Sequence, residues 1–250
     1  MKTLIFDIET APLLSYTWGT FKQNVIEVDR DWYMMTFAYK WLGEKKTYVK
    51  GLPDFKTRFK RNPEDDTDLV KALWKLLDEA DVVIGHNGDA FDIKKANARF
   101  IACGLGKPSF YQTVDTLKVA RKYFKFTSNR LDALGDLLGV GRKIDTGGFK
   151  LWKGCMDGDM KAWAKMCKYN KQDVDLLEDV YMKLRPWMDN HPNSNVYDDT
   201  YDNCPTCGSD KLYKDGFRQT RVAAYQRYQC QDCGSCCQSR IKEPIDVRVK

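Results

Sequence analysis

The chain has 250 residues, 43% hydrophobic and 30% charged, which suits one full domain with a sizeable core plus a small appendage. Its apolar runs fall well short of the roughly 20 residues that cross a bilayer, and it opens on a strand pattern, so a membrane role is excluded and a cytoplasmic location expected. The net charge of +6 is uneven: residues 203–250 hold nine Lys or Arg against five Asp or Glu, a balance that suits a polyanion.

Leu4-Ile5-Phe6-Asp7-Ile8-Glu9-Thr10 reads as a short apolar strand whose two carboxylates point to one face. Unpaired buried charge costs several kcal/mol, so such a pair calls for a partner. Mg²⁺ or Mn²⁺ would answer it, because oxygen ligands from a few carboxylates hold the ion and leave positions for phosphates; taken alone, the pair reads more simply as two acids at the solvent edge of an ordinary strand. Residues 11–30 are irregular, with Tyr16, Trp18 and Phe21 among polar neighbours. Two strands follow over 33–42 and 46–50, turning at Gly43-Glu44. Asp66 or Thr67 then caps a helix in which Leu69, Ala72, Leu73, Leu76 and Leu77 recur at helical spacing.

Residues 81–85 are apolar enough for a buried central strand, ending at His86-Asn87-Gly88-Asp89-Ala90-Phe91-Asp92. A helix is predicted over 93–103, stopped by Gly104, then a strand over 110–115. Asp115 or Thr116 caps the next helix, through Tyr123, and Ser128 or Asn129 a further one carrying Leu131, Leu134, Leu137 and Leu138. Residues 141–158 form a glycine-rich basic loop without further assignment. A long helix over 162–184 ends at Pro186, and 187–202 reads as a polar linker. Three strands, then alternating helices and strands, predict an α/β fold with a mixed sheet flanked by helices over residues 1–186.

Two further acids bear on the first pair. Asp92 opens a helix just past a buried strand, where the helix dipole favours a carboxylate. Tyr169 and Asp173 lie four apart on one helical face. Taken singly, Asp92 reads as a helix cap and Asp173 as part of a solvated face. Their order is the stronger signal: F-D-I-E-T at 6–10, N-x-x-x-F-D at 87–92 and Y-x-x-x-D at 169–173. Together they resemble the three motifs of the DEDD 3′-to-5′ exonucleases, a superfamily of ribonuclease H-like fold, in the tyrosine-bearing branch that includes the proofreading domains of family B DNA polymerases.

That resemblance implies that Asp7, Glu9, Asp92 and Asp173 hold two Mg²⁺ or Mn²⁺ ions for in-line phosphodiester hydrolysis. Tyr169 would orient the attacking water, since a phenol of ordinary pKa near 10 is a poor base at neutral pH. Asn87 and Phe91 match positions near the terminal nucleotides, and Thr10 would contact the 3′ end through its backbone. Core packing is an equal reading of Phe91. Asp89 stands as a substitute for Asp92 if the loop is tighter, and Asp115 as an auxiliary.

Of nine cysteines, Cys103, Cys155 and Cys167 stand singly and six crowd between Cys204 and Cys237, which favours a metal site over a disulfide framework. Cys204, Cys207, Cys230 and Cys233 form C-x₂-C-x₂₂-C-x₂-C, which resembles a zinc ribbon over 203–250 closed around one structural Zn²⁺. Cys236 and Cys237 are alternatives to Cys233 or free thiols. Lys214, Arg218, Arg221 and Arg227, interleaved with tyrosines and Phe217, are the expected nucleic-acid contacts of this tail, with some of the aromatics instead forming its small core and some cations only a solvated surface.

The whole reads as a two-metal 3′-to-5′ exonuclease acting on DNA, single-stranded first, with RNA behind it. Its expected setting is bacterial or phage replication or repair beside a separate polymerase. An endonuclease or RNA-processing enzyme on the same fold is one alternative. A non-catalytic nucleic-acid-binding module is the other, and its sign would be a missing carboxylate.

Overall fold

Alternation along one strand organises the larger part of the molecule. In the computed structural model, which describes residues 1–198 and 201–244, β1 (Thr3–Thr10) sends Leu4, Phe6 and Ile8 into one core and Ile5 into another. The chain continues through β2 (Leu14–Tyr16), β3 (Glu27–Arg30), β4 (Met34–Trp41), β5 (Tyr48–Gly51), α1 (Lys56–Arg61), α2 (Thr67–Glu79) and β6 (Val82–Gly85). Next come α3 (Asp92–Ala102), β7 (Gln112–Asp115), α4 (Thr116–Tyr123), α5 (Leu131–Leu137), α6 (Lys150–Met156) and α7 (Met160–Leu184). After α8 (Asn195–Asp198), β8 (Leu212–Gln219), β9 (Ala224–Cys230) and β10 (Cys236–Lys242) close the described chain.

β1 lies at the centre of a five-stranded sheet of order β5-β4-β1-β6-β7. β4 and β5 run antiparallel, whereas β6 and β7 are parallel to β1. The Leu4-Phe6-Ile8 face meets Leu69, Leu73 and Leu77 of α2 and Ala96 and Phe100 of α3. The Ile5 face meets Leu131 and Leu134 of α5 and Val174, Leu177 and Val180 of α7. Since side chains alternate, Asp7 and Glu9 leave β1 on the Ile5 side, under α7.

The predicted mixed sheet flanked by helices is the fold observed. Three local elements differ from the expectation. Residues 11–30 carry the β2–β3 hairpin, whose strands are too short and too exposed to show a buried period. α1 has no buried residue and left no apolar pattern. Within the loop expected over 141–158, α6 holds Gly154, where an added Cβ would stand 2.9 Å from Ala162 Cβ. That glycine marks a close crossing of α6 and α7 rather than a turn.

Asp66 precedes α2 without capping it. Its carboxylate accepts from the backbone N–H of Met34 at 2.8 Å and from Arg99 Nε at 2.8 Å, tying α2 to β4 and α3. Asp115 does cap α4, accepting from the Leu117 N–H at 3.0 Å.

The segment expected as a linker packs against the rest. Ser194 and Asn195 are buried, Ser194 N–H donates to the Pro205 carbonyl at 2.7 Å, and Asn195 Nδ2 donates to the Asn203 carbonyl at 2.7 Å. Beyond it, β10, β9 and β8 form an antiparallel three-stranded sheet. Positions 199 and 200 of the expected linker, and 245–250 of the expected ribbon, lie outside the described residues. Among the described residues no helix is long and apolar enough to cross a membrane.

Candidate active site and metal centres

Carboxylate oxygens of Asp7, Glu9 and Asp173 lie within 4.8 Å of one another, where the C-terminal half of β1 passes under α7. Burial first, and then the neighbouring carboxylates, raises the Asp7 carboxyl well above the ordinary range. Burial and Asp173 push Glu9 to about 8. Asp173 is raised as well, chiefly by burial. Its Oδ1 is buried with no hydrogen-bond partner. Three converging acids and an orphaned buried oxygen make a donor set that fits a hard divalent cation.

Asp92 is the first residue of α3 and is buried beside this group. Its Oδ1 accepts from the Ile8 N–H at 3.1 Å, and burial holds its pKa up at about 7 despite that bond. It stands outside the tight group of three, although its charge acts on Asp7 and Glu9. Asp89, the alternative, is paired with Lys118 Nζ at 2.5 Å. Asp115 accepts from the Asn87 N–H at 2.9 Å and so holds the turn between β6 and α3.

Two residues of the site gave little sequence signal. Lys143, from the glycine-rich loop, donates to Asp173 Oδ2 at 2.6 Å and to Tyr169 Oη at 3.3 Å. Burial opposes its charge, but Asp173 more than offsets this and holds the ammonium above its ordinary range. Asn170 Nδ2 donates to Asp7 Oδ2 at 2.7 Å, while its Oδ1 accepts from Thr36 Oγ1 at 2.9 Å. The basic character of the loop pointed toward Lys143 without selecting it. Asn170 stands at an unspecified position of Y-x-x-x-D, and only tertiary contact reveals its task. Tyr169 is raised by burial and then by Asp173, so its hydroxyl stays protonated, and its ring meets Trp152 edge-on at 6.2 Å.

Beside the carboxylates a groove of about 460 Å³ runs past Thr10, Pro12, Leu13, Trp32, Phe149 and Trp152. Lys95 lines it too, its Nζ 3.6 Å from the Trp32 ring centroid and 5.6 Å from that of Phe91. Phe91 is 41% exposed, which removes the core-packing reading. Asn87 is exposed and holds a left-handed φ of 65°, a conformation asparagine tolerates better than most residues. Thr10, Phe91 and Asn87 thus mark the groove and the turn that opens α3.

At the far end of α7 the sulfur atoms of Cys204, Cys207, Cys230 and Cys233 lie within 4.8 Å of one another. Cys204 and Cys233 are 3.6 Å apart, as are Cys207 and Cys230. A tetrahedron of Zn–S bonds of about 2.3 Å has edges of about 3.8 Å, so the set fits Zn²⁺. Against burial, which opposes charge, the backbone N–H groups of Cys233 and Asp232 bring the Cys230 thiol down to about 7. Cys236 is exposed, and neither it nor Cys237 joins the group of four. Lys214, Arg218, Arg221 and Arg227 are all exposed on the adjoining strands and turn.

A central strand bearing two acids, antiparallel neighbours on one side, parallel ones on the other and a helix laying a third acid across them define a ribonuclease H-like domain. The chain belongs to the RNase H superfamily, whose family model matches residues 4–185. Among solved structures it is similar to the family B DNA polymerase of the hyperthermophilic archaeon Pyrobaculum calidifontis, with a TM-score of 0.55 and 17% identity. That likeness covers 74% of this chain and 25% of the polymerase, and at this identity it is a likeness of fold. None of the curated proteins compared matches the chain. Superfamily and carboxylates together support a nuclease whose metals are divalent.

Proposed function

We propose that this protein removes nucleotides from the 3′ end of DNA, single strands first, by metal-dependent phosphodiester hydrolysis. The convergence of Asp7, Glu9 and Asp173, with Asp173 Oδ1 left without a partner, is the observation that carries the reading. These three and Asp92 would hold two Mg²⁺ or Mn²⁺ ions, which when bound would supply an activated water and charge to neutralise the entering and leaving oxygens. The chain's own residues set the stage for that chemistry. Asn170 holds Asp7, and the Ile8 N–H holds Asp92, so both carboxylates are aimed before metal arrives.

The protonated Tyr169 hydroxyl orients the attacking water, while Lys143, donating to Tyr169 and Asp173, steadies both and brings positive charge to the reacting phosphate. Trp32, Phe149, Trp152 and Phe91 offer apolar faces where an unpaired terminal base can stack. Polarity comes from the order F-D-I-E-T, N-x-x-x-F-D, Y-x-x-x-D and its likeness to the tyrosine-bearing exonucleases. The ribbon adds nucleic-acid contacts through its arginines, and a separate polymerase or repair protein is the partner this reading implies.

A 5′-labelled single-stranded oligonucleotide incubated with Mg²⁺ or Mn²⁺ tests the proposal. A ladder shortening from the 3′ end is expected, and Asp7→Ala and Asp173→Ala should each abolish it. Cuts inside a circular strand would make the protein an endonuclease. Tight binding without cleavage under either metal would make it a binding module.

A further inference from the structure

We infer that one face of the ribbon sheet, rather than the overall charge of the tail, is a platform for a single strand of nucleic acid. This rests on nucleic acid being the substrate, and it divides the tail's basic residues between two faces. Alternation along β9 places Tyr225, Arg227 and Gln229 on one side and Gln226, Tyr228 and Cys230 on the other. The pairing carries this across the sheet. Arg218 and Lys242 stand opposite Tyr225, Tyr213 and Cys236 opposite Gln229, and Gln238 opposite Arg227. Lys214 and Cys237 stand opposite Tyr228, on the side of Cys230 and of the buried Gln226.

Two side-chain bonds tie the first face together: the Tyr213 hydroxyl donates to Gln229, and Arg218 Nη1 donates to Gln238 Oε1 at 3.0 Å. Tyr213 is 43% exposed, and Arg218, Arg227 and Lys242 are exposed too. None of the paired residues on this face is acidic. Arg227 pairs with Asp215 at 3.2 Å, whereas Arg218 and Lys242 form no ion pair among the described residues.

Open cations flanking tyrosines match a polyanion with exposed rings. A duplex presents phosphates but hides the faces of its bases, so the tyrosines single out an unpaired strand. The opposite face turns toward the four-cysteine site and offers Lys214 as its only cation among the paired residues.

The test uses the full zinc-loaded chain carrying Asp173→Asn, with fluorescence anisotropy of a labelled 20-mer of dT and, separately, of U. Arg218→Glu with Lys242→Glu should raise Kd at least tenfold and flatten the salt slope by about 1.4, at about 0.7 per phosphate contact on a single strand. Tyr225→Ala should raise Kd about tenfold and leave the slope unchanged. Lys214→Glu should change Kd less than twofold, with one zinc per chain in every variant. If a reversed charge lowers the zinc content, Arg218→Gln with Lys242→Gln repeats the test.

The pattern in either oligomer sustains the inference and names the sugar. Equal weakening by Lys214→Glu, or no change from the face variants with both oligomers, overturns it. A 3′ ladder from the enzyme with Asp173 intact keeps that failure separate, because the ladder reports the nuclease reading and the anisotropy reports the ribbon face.

Discussion

Glu9 is raised from 4.5 to about 8, first by burial and then by the charge of Asp173. Between those two values the folded, metal-free chain keeps a proton at Glu9 that the unfolded chain has released. Stability contributed there is therefore lost as pH rises toward about 8, and Asp7, Asp92 and Asp173 shift in the same direction. Thermal unfolding of the zinc-loaded protein without added Mg²⁺ should shift to lower temperature between about pH 6 and pH 8. Glu9→Gln should shrink that shift while abolishing cleavage, and Mg²⁺ should reverse it in the wild type. A melting temperature indifferent to pH would mean that Lys143 alone neutralises the cluster. Asp7 and Glu9 stood out through the strand period, whereas Asp92, Tyr169 and Asp173 were singled out by the order of the three motifs and its resemblance to the tyrosine-bearing exonucleases. Lys143 and Asn170 were not, since a loop has no period and a lone helical asparagine carries no pattern.

The loop that delivers Lys143 is itself held by a close approach. Val140 N–H donates to the Gly135 carbonyl at 2.9 Å, Lys143 N–H to Asp132 Oδ1 at 2.8 Å, and Gln172 Nε2 to the Arg142 carbonyl at 2.7 Å. A Cβ on Gly135 of α5 would stand 2.6 Å from the Gly141 carbonyl oxygen and 2.6 Å from Leu176 Cδ1. In an exposed helix interior, replacing glycine by alanine stabilises by about 1 kcal/mol. Here the methyl must displace backbone, so Gly135→Ala should instead destabilise by about 1–3 kcal/mol. Because the displaced loop carries Lys143, cleavage should fall more than it does in a variant of equal stability loss elsewhere. Urea unfolding and the oligonucleotide assay decide this together, and a stabilised, fully active Gly135→Ala would refute the account. Glycine also explains which elements sequence reading placed and which it passed over. Gly104 ends a helix as expected, whereas Gly135 and Gly154 lie inside helices where another element comes close. Composition alone does not separate those two uses.

The two parts of the molecule hold themselves together differently. Both faces of the five-stranded sheet are covered by large apolar clusters, whereas the buried cluster of the ribbon is Cys204, Cys230 and Cys233, with Cys207 and Leu212 packed against it. With zinc held by those four cysteines, a fold whose core is its own ligand set would draw its folding free energy from metal binding. The join is ordered: the Tyr181 hydroxyl and His191 Nε2 share a hydrogen bond at 2.7 Å, and an added Cβ on Gly234 would touch the Pro186 ring at 3.8 Å. Cys230→Ser should therefore lose zinc and hydrogen-exchange protection across 204–242 while leaving protection in β1, β4 and β6 intact. Cleavage of a saturating single-stranded oligonucleotide should persist, because Asp7, Glu9, Asp92 and Asp173 belong wholly to the larger domain. At substrate concentrations below KM the rate should fall, since the nucleic-acid contacts proposed for the ribbon would be lost with its fold. A single cooperative collapse of both parts in Cys230→Ser would instead mean that the junction at Tyr181, Pro186 and His191 couples the ribbon to the carboxylate site through α7.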